Sequence, residues 1–236
     1  MENPTPIAID IWSDVVCPWC WVGKRRLEHA LVQEAAEAAA TGQALPAVQL
    51  RLRAFELRPE MPVEGADART FYAGLFGGED RYDQIAARMR GVGEEVGIDF
   101  DYPSIRRAAN TRLAHRAIAI ADGVGAAMPA MEALHRAYFT DGRDVGDLET
   151  VVSAVVGAGV PIEADVLRDR LLAGEGLPRV ESDELLARQL GITGVPMFVV
   201  GLEGGGQPVG VSGAQPVEVM RRLVEIAREQ AAAPTA

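Results

Sequence analysis

Residues 7–31 read IAIDIWSDVVCPWCWVGKRRLEHAL, and two structural periods meet inside them. Ile7, Ile9 and Ile11 alternate with Ala8, Asp10 and Trp12, a period of two that predicts a strand. From Pro18 the spacing changes: Cys20, Gly23, Leu27, Ala30 and Leu31 fall on one face of a helix, with Gly42 as its stop. At the join stands Cys17-Pro18-Trp19-Cys20, which holds the only two cysteines of the chain. Pro18 suits the first helical position, because the N–H it lacks would be unpaired there anyway. The free N–H groups of that first turn and the positive end of the helix dipole then face the Cys17 sulfur and favour its thiolate, the reactive form. Cys20 lies one turn further in on the Leu27 face and is expected to be buried and to hold its proton longer. An exposed attacking thiol beside a sheltered one is the asymmetry that thiol-disulfide exchange requires.

Other readings of the same residues are weaker. Two cysteines make half a zinc site, and His29, His115 and His135 have no paired spacing to complete it. Asp14 either accepts the Cys20 proton or organises the strand-to-helix turn, and the turn is favoured because Asp is common in such loops without chemistry. Trp19 carries no charge to act on Cys17 and is expected as an aromatic lid or a substrate contact. Lys24 and Arg25 are expected on a solvated helix face. His29 stands roughly 18 Å along the helix from Cys17 at ~1.5 Å per residue, too far to act as its base.

Working outward, Val48, Leu50, Leu52 and Ala54 alternate with Gln49, Arg51 and Arg53, which predicts a second strand and a parallel crossover unit. From about 67 to about 176 the pattern is helix after helix without a convincing strand, with helices expected over 81–97, 111–122, 129–140, 147–157 and 163–173. A long helix follows over 178–190. Two short β-like runs, 196–201 (PMFVVG) and 207–212, joined by the glycine-rich LEGGG, predict a hairpin. An amphipathic helix over 215–228 carries Val219, Leu223 and Ile226 along one stripe. The expected architecture is α/β: a four-stranded sheet of order 2-1-3-4 with a large all-helical insertion. The division is 1–66 with 177–236 as one discontinuous unit and 67–176 as the insertion, with 229–236 as an unstructured tail.

At 236 residues the chain is long enough for one large domain or a domain with an insertion. Thirty-four acidic against 23 basic residues give a net charge of −11, which repels phosphate backbones and anionic lipid. Nucleic acid and membrane are therefore poor partners. No apolar run approaches the ~18 residues needed to span a bilayer, and the opening MENPTPIAIDIW lacks the features of a secretory signal, so a cytoplasmic location is expected.

The strand followed by DVVCPWCWVGKRRLE, then the helical insertion, then GITGVPMFVVG and VSGAQP resembles the FrnE-like branch of the DsbA family of thioredoxin-fold proteins. NTRLAHR (110–116) and LHRAYFTDGRD (134–144) resemble insertion motifs of this branch and of the hydroxychromene-carboxylate isomerases. The resemblance implies that Pro196 is a cis-proline opposite the sulfurs and that Val195 offers backbone groups to an extended substrate. Independently of the family, a proline entering a central strand is out of place unless the bond turns the chain sharply; a trans-proline starting an edge strand is the plainer alternative. The resemblance also puts Asn110 and His115 near the cleft, where their bland roles are a helix N-cap and interhelical packing. It makes Gly213, Ala214 and Gln215 a place for the carboxylate of a glutathione-like thiol, although a helix start alone also explains them. The expected function is thiol-disulfide exchange, as oxidase, reductase or isomerase, on protein or small-molecule disulfides. No tightly bound cofactor is expected; a thiol such as glutathione or mycothiol is the candidate co-substrate. The alternatives are a thiol-dependent isomerase or transferase of the hydroxychromene-carboxylate isomerase or kappa kind, and a chaperone-like peptide binder.

Overall fold

The computed structural model describes residues 7–202 and 207–232. Strand β1 (Ile7–Ser13) leads into helix α1 (Pro18–Thr41), and β2 (Val48–Ala54) returns parallel to β1, with Ile7 opposite Val48 and Ser13 opposite Ala54. Strand β5 (Met197–Val200) runs antiparallel to β1 on its other side, and β6 (Val209–Ser212) pairs with β5. The sheet order is β2-β1-β5-β6, the order expected from the sequence. Of the LEGGG joining β5 to β6, positions 203–206 lie outside the described residues.

The alternation in β1 does not produce a strand with one wet face. Asp10 and Trp12 are as buried as Ile9 and Ile11, because the strand is central and both its faces are covered. Helices α1 and α9 (Val217–Ala232) pack together on one side, and α8 (Leu177–Gln189) lies on the other against β2. Trp12 joins the α8 side, in a cluster with Ala187, Ile192 and Val199, and its indole N–H donates to the Asp183 carbonyl at 3.0 Å. Asp10 is paired in the interior with Arg51 at 2.6 Å and Arg53 at 2.7 Å, and Arg53 also reaches Asp183 of α8 at 3.0 Å. Glycine at 42 stops α1 in the left-handed conformation (φ 69°), where its N–H reaches back to the Ala38 carbonyl.

Between β2 and α8 run α2 (Ala68–Phe76), α3 (Glu79–Glu95), α4 (Arg112–Asp122), α5 (Ala127–Phe139), α6 (Leu148–Gly157) and α7 (Ala164–Leu172). Two features of this stretch depart from the sequence reading. Helix α2 was not expected, and a short antiparallel ladder pairs β3 (Ala66–Asp67) with β4 (Arg107–Ala108). The ladder clips together the two ends of the α2–α3 excursion. At the C-terminus the expected unstructured tail is also corrected: α9 continues through Glu229 to Ala232, and 233–236 lie outside the described residues.

One continuous apolar core links sheet and helical stretch, from Ile9 and Ile11 through Trp21 and Leu27 to Leu134, Phe139 and Val151. Trp21, the residue after Cys20, is the wedge at this junction. Its ring stacks on His135 at 5.6 Å and meets Phe100 edge-on at 5.7 Å, and its N–H donates to Glu132 of α5 at 3.0 Å.

Candidate active site

Strand β1 ends at Ser13, and the turn 14–16 delivers Cys17 to the N-cap of α1 with extended dihedrals (φ −97°, ψ 108°). Asp14 builds this turn. Its backbone carbonyl accepts from the Cys17 N–H at 3.1 Å, and its carboxylate accepts from the Leu57 N–H at 2.7 Å and faces His115 Nε2 at 3.3 Å. Of the two roles expected for Asp14, these contacts show the turn-organising one. Cys17 makes no side-chain cap, so its sulfur is left to face the Val195 carbonyl at 3.7 Å.

Cys17 is not the exposed thiol expected: 5% of its surface is open, against 2% for Cys20. The Val195–Pro196 segment lies over it. Accessibility therefore does not separate the two thiols. Burial first, and then the neighbouring Cys17 sulfur, push the Cys20 thiol well above its ordinary pKa, and the Ser13 hydroxyl and the Asp14 N–H only partly oppose this. The two thiols are free.

The Val195–Pro196 peptide is cis. The Pro196 carbonyl accepts from the Gly213 N–H at 2.8 Å, which draws the turn before α9 against the Val195–Pro196 segment. Gly213 takes a left-handed conformation there (φ 81°), and the Gln215 amide folds back onto the Ser212 carbonyl at 2.8 Å. Pro196, Phe198 and Ala214 all crowd Gly23 of α1. Trp19 is half-buried with the Arg88 guanidinium of α3 above its ring at 6.0 Å, so the helical stretch borders the site on that side.

Of the two insertion residues expected near the cleft, His115 is brought to Asp14, three residues before Cys17. Burial alone would lower its pKa, but the Asp14 carboxylate, helped by Glu56 and Glu184, outweighs it and raises the imidazole. Asn110 instead spends its side chain on the Met61 carbonyl at 2.7 Å and the Arg112 N–H at 3.1 Å, which ties the start of α4 to the β2–β3 connection. Lys24 and Arg25 correct the expectation of a solvated face. Lys24 is buried, bonded to Glu28 at 2.6 Å and Glu132 at 2.8 Å, and Arg25 joins the same Glu132. Although burial works against it, these cations hold the Glu132 carboxyl below its usual range. His135 was missed as a neighbour of the site. Its Nε2 lies 3.3 Å from the Asp14 carbonyl, and its only sequence signal was its place in the LHRAYFTDGRD segment. Among the described residues no three His, Cys, Asp or Glu side chains gather as a metal site.

A model of the DsbA-like thioredoxin domain matches residues 8–225. No curated protein matches the chain by sequence. Among solved structures, a probable DsbA oxidoreductase from Streptomyces coelicolor is 31% identical, with 94% of this chain and 89% of that one covered at a TM-score of 0.78. The cytosolic disulfide reductase DsbM from Pseudomonas aeruginosa shares the fold at 19% identity, with coverages of 93% and 98% and a TM-score of 0.58. A 2-hydroxychromene-2-carboxylate isomerase shares it at 16% identity, with coverages of 95% and 98% and a TM-score of 0.65. A match over nearly the whole chain, joined to a CPWC turn at the tip of α1 and the sheet order β2-β1-β5-β6, makes this protein a member of the DsbA-like thioredoxin family, whose chemistry is that of thiols and disulfides.

Proposed function

We propose that the chain exchanges thiols and disulfides through its CPWC pair, with Cys17 attacking the substrate and Cys20 resolving the mixed disulfide. The observation that carries this reading is the contrast between the two sulfurs. Cys17 stands at the N-cap position of α1 and faces the Val195 carbonyl, whereas Cys20 sits behind it with its proton held by burial. In the reductive direction the Cys17 thiolate attacks one sulfur of a substrate disulfide, and the partner sulfur leaves as a thiolate. Cys20 then loses its proton and attacks Cys17, so that the Cys17–Cys20 disulfide forms and the substrate departs reduced. The oxidative direction is the same path reversed.

An extended substrate chain is taken against Val195 and Pro196, and the turn 213–215 is the place for the carboxylate of a small thiol. Support for a thiol co-substrate comes from the Pseudomonas aeruginosa DsbM structure with GSH, which is 21% identical to this chain. We take the location as cytoplasmic, in line with the cytosolic setting of DsbM, and we take 67–176 as an insertion into the thioredoxin-like unit.

The test is a pair of variants. Cys17→Ser is expected to abolish reduction of a model disulfide peptide, and Cys20→Ser to accumulate the mixed disulfide on Cys17, read by intact-protein mass. A Cys20→Ser protein that turns over at the parent rate would point instead to an isomerase or transferase working through a bound thiol. Peptide binding that survives loss of both thiols, with no turnover in the parent, would leave the chaperone reading.

A further inference from the structure

The β3–β4 ladder clips the start of α2 to the segment before α4, and between these two and α3 lies a cavity of about 450 Å³. That volume falls in the range of small-molecule sites, ~300–1,000 Å³. Its inner wall is buried and mostly apolar: Tyr82, Ala86, Tyr102 and Ile105 are each at most 9% exposed. Its rim is charged, with Arg69, Arg90 and Arg106 beside Asp67 and Asp83. Neither sulfur lines it, nor do Trp19, Val195 and Pro196. Asp83, Ala87 and Arg90 face it from one flank of α3, whereas Arg88, which covers Trp19, lies at least ~100° further round the helix. The cavity is thus separate from the thiol cleft.

The rim charges are not equivalent. Arg69 is fully engaged: its guanidinium holds Asp83 through two hydrogen bonds, at 2.6 and 3.0 Å, reaches Glu79 at 3.0 Å and covers the Tyr82 ring at 5.7 Å. Asp67 accepts from the Thr70 N–H at 2.9 Å and from its hydroxyl at 2.7 Å. Both aspartates therefore have partners. The side chains of Arg90 and Arg106, in contrast, make no hydrogen bond or ion pair with any described residue. In a chain of net charge −11, two free guanidinium groups above an apolar wall are a local exception that favours an anion. A second unmet group stands in that wall: the Tyr102 hydroxyl is buried and has no hydrogen-bond partner among the described residues. Such a hydroxyl is a cost until an oxygen completes it. The Tyr82 ring already stacks on Tyr72 at 5.9 Å and lies under Arg69, so it offers no free face to an aromatic ligand. Ala86, Ala87, Pro103 and Ile105 suit an aliphatic body instead. The two rim carboxylates repel a dianion more than a monoanion.

We propose that this cavity binds a short-chain aliphatic carboxylate, its chain against Ala86, Pro103 and Ile105 and its carboxylate held by Arg90, Arg106 and the Tyr102 hydroxyl. A carboxylate offers about four lone-pair sites on two oxygens, enough for both guanidinium groups and the phenol. Binding is non-covalent and uses neither thiol, so it stands or falls apart from the exchange reading.

Isothermal titration of the full chain with hexanoate tests this, and a single saturable site is expected. Hexanamide keeps the body and loses the charge, and acetate keeps the charge and loses the body. Each should bind at least about tenfold more weakly than hexanoate, and so should inorganic phosphate. Arg90→Gln and Arg106→Gln should each weaken hexanoate about tenfold, the worth of a hydrogen bond to a charged group, and Tyr102→Phe about fivefold. Arg88→Gln, on the other flank of the same helix, and Cys17→Ser should leave hexanoate binding unchanged. No saturable binding of hexanoate overturns the proposal, as does binding of hexanamide, acetate or phosphate at the affinity of hexanoate. Loss of binding in Arg88→Gln or Cys17→Ser, with none in Arg90→Gln, overturns it too and moves the acid to the thiol cleft. If Tyr102→Phe loses its near-UV circular dichroism, the exposed Arg90 and Arg106 variants decide alone.

Discussion

Gly23 stands where α1 crosses the Pro196 segment, and a single methyl there tests how tightly the site is set. A Cβ at this position would lie 3.1 Å from Phe198 and 3.2 Å from Pro196, closer than packed carbons normally come, and 3.4 Å from Ala214. Gly23→Ala gains up to about 1 kcal/mol of helix propensity but incurs ~1–3 kcal/mol of overpacking. We expect a net loss of stability in urea titration and slower exchange at Cys17, because relief comes most easily by pushing Pro196 outward. A more stable variant with unchanged exchange would show that the contact has slack. Lys24 and Arg25 carry the same lesson at this scale. On α1 they look like an ordinary charged face, and only Glu132, arriving from α5, turns them into buried partners.

Among the elements, α1 and α5 are joined by Trp21 as well as by the ion pairs on Glu132. Trp21→Ala removes the ring between His135 and Phe100 together with the donor to Glu132, and should destabilise the protein by ~3–5 kcal/mol. Trp21→Phe keeps most of the packing and should lose only about 1 kcal/mol, the worth of the hydrogen bond. Denaturant midpoints check the magnitudes, and faster amide exchange along α5 in Trp21→Ala would locate the damage; uniform loss across the chain would refute the wedge. Helix α2 escaped sequence reading because it is short and its apolar residues make no clean stripe, yet its ends were marked. Asp67 caps it through the Thr70 N–H at 2.9 Å, and Gly77 stops it with φ 89°. The β3–β4 ladder left no signal, since two residues per strand cannot show a period.

The whole molecule answers acid through its two buried histidines, with opposite signs. Burial pushes the His135 pKa down to about 4, and nearby Glu132 only partly opposes it. The unfolded chain, with an ordinary imidazole near 6.5, therefore takes the proton first as pH falls. This contribution is complete above pH ~6.5 and is lost between there and about 4, on the order of 3 kcal/mol. His115, raised in the folded state, contributes below pH ~6.5 and loses that contribution as pH climbs through its raised value. Urea titrations across this range should show a stability drop on acidification that is smaller in His135→Gln by about 3 kcal/mol; equal slopes would remove His135 from the account.

Local chemistry was legible without a structure wherever neighbours in sequence are neighbours in space. The alternation in β1, the Pro18 start and Gly42 stop of α1, the CPWC turn and the hairpin after Pro196 are all short-range signals. With one long helical stretch between two strand pairs, the four-stranded order followed as well. The tertiary structure alone decided how far each sulfur is covered, because the lid over Cys17 is Val195, which the chain reaches only after the long helical stretch. It alone decided which charges are buried, since Asp10, Lys24 and Asp14 find their partners on distant elements. It also decided that His115 and His135 converge on one turn, where burial and a carboxylate shift two identical side chains in opposite directions. Period and spacing record the contacts a residue makes along its own element; desolvation and ion pairing depend on what arrives from elsewhere.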